Sequence, residues 1–143
     1  MPSSAATQIR AIISRYAQAV TAKDEALWSS TWSKSGIWEL MGQAPEGREA
    51  VVEYWKTMMS GIPFVYQLAG EGEIEVDAEG QRGTGRVPTI EFAKFGDGPG
   101  MLMLGTYHDV YVLEDGEWCF GERRMKVQYM GPPDLSGAAT PTP

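Results

Sequence analysis

The spacing of apolar residues changes period part-way along the chain, and that change divides it into a helical part and a β part. Ile9, Ile12, Ile13, Tyr16 and Val20 recur at i, i+3, i+4, i+7 and i+11, which predicts one amphipathic helix over residues 4–22. Ser3 or Ser4 can cap its start. Asp24 is a cap for a second, short helix running to about Trp32, and Ser35-Gly36 breaks it. Ile37 to Met41 reads as a short strand. A third helix after Gly47 carries Val51, Tyr54, Trp55, Met58 and Met59 on one side and stops at Gly61-Ile62-Pro63.

From Phe64 onward the period is two. Phe64 to Asp77 is one long strand, or two short ones broken at residues 70–72, with Ile74 and Val76 alternating against Glu73, Glu75 and Asp77. Thr84 to Phe95 is the next strand, and Pro88 inside it implies a bulge or an edge position. Met101 to Leu113 and the run from Trp118 form a long closing hairpin around Glu114-Asp115-Gly116. Strict alternation puts Trp118, Phe120, Glu122, Arg124, Lys126 and Gln128 on one face of its last strand. Cys119, Gly121, Arg123, Met125, Val127 and Tyr129 fall on the other. An arginine among small apolar neighbours must be paired or must face a cavity, because an unpaired buried charge is very costly.

The hairpin turn decides its partner. A two-residue turn at Asp115-Gly116 sets His108 opposite Arg123. A three-residue loop with a glycine bulge sets Tyr107 there, with Asp109 on the same face, and the bulged loop is the expected form. Early helices followed by a curved antiparallel meander make an α+β domain with a cavity between the layers. Residues 1–131 are expected to form this single domain. The Pro/Gly/Ala-rich residues 132–143 read as a flexible tail.

Charge narrows the partners. A net charge of −7 argues against nucleic acid and against an anionic membrane surface, both of which need a basic face. No apolar run is long enough to span a bilayer, and the first residues lack the layout of a secretory signal. A single cysteine, Cys119, excludes an internal disulfide and fits a cytoplasmic location. With one histidine and one cysteine, no metal site is expected and no cofactor motif is present. The glycine-rich stretches 80–85 and 96–100 do not lead from a strand into a helix, so they are hairpin turns rather than phosphate loops.

The segments "RYAQAV", "SGIWEL" and "GTYHDVYVLEDGEWCFGERR", with the pattern G-x-Y-x-D-x-Y-x(4)-G-x-W-x(4)-R, resemble SnoaL-like proteins of the nuclear transport factor 2-like, or ketosteroid isomerase-like, superfamily. The resemblance covers residues 8–131 and implies a cone-shaped α+β barrel: a strongly curved, mostly antiparallel sheet covered by about three N-terminal helices and enclosing a pocket. Its members include dehydratases, a dehydrochlorinase, polyketide cyclases and isomerases, besides binders without chemistry. The dehydratase-type Asp and His fall on Thr21 and Gln67, neither of which abstracts a proton near neutral pH. The ketosteroid-isomerase base position falls near Trp38 to Leu40, which adds Glu39 as a candidate.

Glu91 shares a strand face with Val87, Thr89, Ala93 and Phe95, where desolvation would raise its pKa toward that of a general acid or base. The same alternation, slipped by one, would make it an exposed outer-face residue. Arg123 either binds a carbonyl or anionic group or forms a structural ion pair with Asp109. Tyr16, Tyr66 and Tyr107 are candidate hydrogen-bond donors, and Trp38 is a candidate pocket wall. The expected catalytic set is Glu91, Tyr16, Tyr107 and Arg123; the expected substrate contacts are Thr21, Trp38, Leu40, Tyr66, Gln67, Thr89 and Asp109. His108 shares a face with Leu102, Leu104, Val110 and Val112, which suggests an apolar outer sheet face used in a homodimer or homotrimer.

The reading is a cofactor-independent lyase (dehydratase) or isomerase acting by proton abstraction on a small apolar cyclic carbonyl compound, steroid- or polyketide-like. Two other readings remain: a non-catalytic ligand-binding or dimerising protein, and the small subunit of a ring-hydroxylating oxygenase.

Overall fold

The computed structural model describes residues 4–140, so Ser3 as a cap and the last three residues of the expected tail lie outside it. Helix α1 spans Ala5–Ala22, and Ser4 caps it by accepting the Thr7 amide at 3.2 Å. Its buried face is Ile9, Ile12, Ile13, Tyr16 and Val20, the residues whose spacing predicted it. Asp24 caps α2, Glu25–Ser29, through the Leu27 amide at 3.1 Å.

This second helix ends earlier than expected, because Trp32 already belongs to strand β1, Trp32–Glu39. The Phe120 amide donates to the Thr31 carbonyl at 2.8 Å, so sheet pairing draws in a segment that local sequence assigned to a helix. The strand therefore begins before Ile37 and stops at Glu39. Helix α3 spans Arg48–Ser60.

Strands β2 (Phe64–Ala69) and β3 (Glu73–Val76) are separate and lie end to end along β4 (Arg82–Lys94). Pro88 sits opposite the gap between them. Its carbonyl accepts from the Gly70 amide at 2.8 Å, and its missing N–H falls where neither strand continues the ladder. Strands β5 (Gly100–Glu114) and β6 (Glu117–Gly131) complete a six-stranded sheet in the order β1-β6-β5-β4-β2, with β3 beside β4. The β1–β6 pair is parallel and the rest antiparallel. The α+β architecture is as expected, although the sheet does not close on itself into a full barrel.

The closing hairpin corrects both registers considered from sequence. Its turn has two residues, Asp115 (φ 53°) and Gly116 (φ 80°), with Glu114 paired to Glu117. Both central residues have positive φ, which matches the twist of the flanking strands. The bulge lies inside β6 at Gly121 instead of in the loop, so Tyr111 pairs with Phe120 while Asp109 pairs with Arg123. That extra residue also breaks strict alternation and turns both Phe120 and Arg123 inward.

Residues 132–140 return along the end of β6. The Tyr129 hydroxyl donates to the Pro132 carbonyl at 2.6 Å and accepts from the Gly137 amide at 3.1 Å, while the Thr140 amide donates to the Gln128 carbonyl. Among the described residues no helix is long and apolar enough to cross a membrane.

Candidate active site

Between the helices and the concave sheet face lies a small cavity of about 40 Å³. Its walls are rich in methionine: Met41, Met58, Met59, Met101, Met103 and Met130 all line it, drawn from α3, β5, β6 and a loop. Its polar residues are few. They are Tyr16 from α1, Trp38 from β1, Gln67 from β2, Glu91 from β4 and Tyr107 from β5.

Tyr16, Tyr107 and Trp38 form one hydrogen-bonded chain. The two phenol oxygens are 3.0 Å apart, and the Trp38 indole donates to the Tyr107 oxygen at 3.1 Å. The tyrosine pair has two O–H groups, and one of them bridges the pair. The second proton is free to meet an acceptor in the cavity, whichever way the bridge points. Burial pushes both phenols above their ordinary pKa, so the pair is neutral and donating.

Beneath the tyrosines lies Arg123, 1% exposed. Asp109 clamps it with two bonds, Nε to Oδ1 at 2.8 Å and Nη2 to Oδ2 at 3.0 Å. Three rings enclose the guanidinium, Tyr107 at 3.8 Å, Phe120 at 4.2 Å and Tyr16 at 4.5 Å from centroid to carbon. Burial opposes its charge, and Asp109 more than offsets this. The Tyr111 hydroxyl donates a third bond to Asp109 at 2.9 Å. Gly85 makes room for that phenol, since a Cβ there would stand 2.6 Å from the Tyr111 oxygen. The arginine is thus a fixed positive charge behind the tyrosine rings, and it does not line the cavity.

Glu91 faces the cavity from β4, opposite Gln67 on β2. The Gln67 amide Nε2 donates to Glu91 Oε2 at 2.8 Å. Desolvation raises the Glu91 pKa from its ordinary value, and the Gln67 bond works weakly against that rise.

Of the residues expected from sequence, the structure gathers Tyr16, Trp38, Leu40, Gln67, Glu91 and Tyr107 around the cavity. Several others lie elsewhere. Tyr66 alternates with buried Val65 and Gln67, so it points to the outer face and is 46% exposed. Thr89 is buried, but its hydroxyl donates to the Val87 carbonyl, and it does not line the cavity. The Thr21 hydroxyl accepts the Gln67 backbone amide at 2.9 Å, and Thr21 lines an open groove beside the cavity and not the cavity itself. Asp109 is consumed by Arg123 and Tyr111. Glu39 lies on the outer side of β1, bound to Arg124 at 2.6 Å and 3.7 Å from Lys126.

His108 also faces away from the cavity, between its cross-strand neighbours Arg86 on β4 and Arg124 on β6. Desolvation and the Arg86 and Lys126 charges lower its pKa. The methionine wall was not read from sequence, because its six members come from α3, β5, β6 and a loop, and only two short pairs, Met58–Met59 and Met101–Met103, share an element. No group of His, Cys, Asp and Glu among the described residues is arranged to hold a metal.

Residues 2–124 match the family model of the SnoaL-like domain. The chain belongs to that family. Three solved structures show how far the fold extends at low identity. Hexachlorocyclohexane dehydrochlorinase LinA-type3 from Novosphingobium barchaimii LL02 is 18% identical with a TM-score of 0.80, over 96% of this chain and 94% of that one. A protein from Novosphingobium aromaticivorans DSM 12444, provisionally identified as a scytalone dehydratase, is 14% identical with a TM-score of 0.79, over 92% and 93%. Rv3472, a protein of unknown function from Mycobacterium tuberculosis, is 24% identical with a TM-score of 0.74, over 85% and 70%. No curated protein sequence matches. These similarities establish the SnoaL-like fold, and the chemistry must be argued from the cavity.

Proposed function

We propose that this SnoaL-like protein is a cofactor-independent lyase or isomerase that abstracts a proton next to a carbonyl in a small apolar cyclic compound of steroid or polyketide type. The observation that carries this reading is one desolvated carboxylate, Glu91, in the same cavity as a neutral hydroxyl pair with one proton to give. Glu91 takes the proton from carbon, and the electron pair moves toward the carbonyl oxygen. The tyrosine hydroxyl donates to that oxygen as charge develops, with the Arg123 field behind the rings. The enolate then either expels a hydroxyl from the adjacent carbon, which leaves as water with the proton returned by Glu91, or, where the substrate carries a β,γ double bond, takes that proton at the γ carbon so that the double bond shifts into conjugation.

No cationic side chain lines the cavity among the described residues, which favours a neutral ligand. At about 40 Å³ the space holds little more than one water, so the unbranched methionine side chains must shift to admit a ring. Glu91→Gln should lower turnover of such a substrate by about 10²–10⁴-fold while leaving the fold intact by circular dichroism. Full turnover in that variant would overturn the assignment. The non-catalytic binder draws support from Thr21 and Gln67, which stand where related dehydratases carry their acid–base pair. Saturable binding of an apolar ketone with no turnover would favour it.

We also infer self-association through the outer sheet face, as a dimer or trimer. Tyr66, Leu68, Ile90 and Phe92 are each 40% or more exposed and lie cross-strand from one another on β2 and β4. Such a contiguous apolar surface marks an interaction site. Ile90→Asp should shift the protein to monomers in light scattering without unfolding it. A native protein that is already monomeric at tens of micromolar would remove this inference. A cytoplasmic location belongs to the same reading.

A further inference from the structure

We propose that Gln67 is a positioning residue for the candidate acid/base: its side-chain amide holds Oε2 of Glu91 and leaves Oε1 as the oxygen that exchanges a proton. The proposal rests on the reading of Glu91 given above, and it assigns Gln67 a role other than contact with substrate.

Three observations carry it. Gln67 is only 6% exposed and stands directly across the β2–β4 ladder from Glu91, with its Nε2 at 2.8 Å from Oε2. A buried amide is costly without a partner, and the methionine side of the cavity offers it none. Its own backbone is fixed from outside the ladder, since the Gln67 amide donates to the Thr21 hydroxyl on α1 at 2.9 Å. Helix α1, strand β2 and strand β4 are therefore tied together at one point, and the carboxylate orientation follows from that tie. Gln67 is also the residue shared by the cavity and by an open groove of about 520 Å³ between α1 and β2, so it stands in the wall between them.

The chemistry favours an amide here over a charged partner. An arginine or lysine at this distance would stabilise the ionised carboxylate strongly and lower its pKa by about 1–3 units. A neutral donor stabilises it only modestly, partly offsetting the desolvation that raises it. The result is a carboxylate held in one orientation, with burial keeping its pKa above the ordinary value.

The test is a carbon-13 NMR titration of the Glu91 carboxyl in full-length protein, with the resonance assigned by its disappearance in Glu91→Gln. Gln67→Met keeps length and bulk in a wall already rich in methionine but removes the donor. It should shift the Glu91 midpoint upward while the other carboxyls keep theirs. An unchanged midpoint in a folded variant overturns the proposal. Should Gln67→Met not fold, Gln67→Glu provides the reading, because two facing carboxyls share one proton and titrate in two separated steps. Independent titration of the two groups again overturns it. The outcome is separable from that of the functional reading: full turnover in Glu91→Gln removes the acid/base role whatever the midpoint does in Gln67→Met, and an unchanged midpoint in Gln67→Met removes the positioning role even where turnover depends on Glu91.

Discussion

Arg123 and Arg124 are neighbours in sequence and form ion pairs on opposite faces of the same sheet. The inner pair, Arg123 with Asp109, is 1% and 0% exposed, bidentate, and enclosed by three rings. The outer one, Arg124 with Glu39, is about one-third exposed on both sides, and each partner also meets another charge, Glu122 and Lys126. The two contacts are of similar length, so distance alone would rank them as equals. Environment separates them, because a charge removed from water must be compensated in full, whereas an exposed pair merely exchanges one solvation for another. The concave face therefore holds the pair on which stability depends, and the convex face contributes surface.

The sharpest way to break this contrast is Asp109→Ala. It strands the Arg123 guanidinium in the core and leaves the Tyr111 hydroxyl without its acceptor. A loss of about 3–5 kcal/mol is expected from removing one partner of a buried pair, measured by chemical denaturation. A loss under 1 kcal/mol would mean that water reaches Arg123 and that the inner face is not dry. The double variant Asp109→Leu with Arg123→Met refines the point. Its stability should recover toward that of the parent, since well-packed apolar replacements of buried pairs are often neutral. Activity should not recover, because the charge behind Tyr16 and Tyr107 is gone.

A smaller effect separates Glu91 from the carboxylates of the outer face. Burial raises its pKa in the folded protein above the ordinary 4.5. Between these two values the folded state keeps a proton that the unfolded chain has released. Stability therefore falls as pH rises through that window, and the penalty is complete above it. Glu91→Gln removes the penalty, so the variant should melt slightly higher than the parent at neutral pH, and the gain should disappear as pH falls below the ordinary carboxylate value. A pH-independent difference would place Glu91 in solvent.

Much of the fold was legible because its signals are local and periodic. The spacing of Ile9 to Val20 gave α1 its buried face, residues 70–72 marked the break between β2 and β3, and Pro88 marked a local edge position on β4. What failed depended on pairing between distant segments. Nothing local tells Trp32 that it will open a strand beside Phe120, and nothing in Glu114-Asp115-Gly116 reveals that the bulge lies at Gly121. The site shows the same division. Alternation along β4 correctly set Glu91 facing inward with Val87 and Ala93, whereas Tyr66 was one register position from its neighbour Gln67 and took the opposite face. The methionine wall was invisible because its six residues come from four segments far apart in the chain, and no single period runs through them.

The smallest expected effect belongs to the outer pair. Arg124→Ala removes contacts to Glu39 and Glu122, yet all three residues keep about a third of their surface in water. Exposed pairs of this kind contribute about 0.2–1 kcal/mol and weaken as salt screens them. The variant should thus lose less than 1 kcal/mol at low salt and become indistinguishable from the parent at high salt, by denaturant titration at low protein concentration. Raising the protein concentration turns the same variant into a probe of the convex face. Arg124 lies on β6, paired with His108 on β5 and away from the apolar patch on β2 and β4, so an assembly seated on Tyr66, Leu68, Ile90 and Phe92 leaves the pair at its rim. The loss should stay below 1 kcal/mol as the subunits associate. A loss that grows with concentration would instead place the charged row inside the interface, and the division into a dry inner face and a wet outer one would no longer hold.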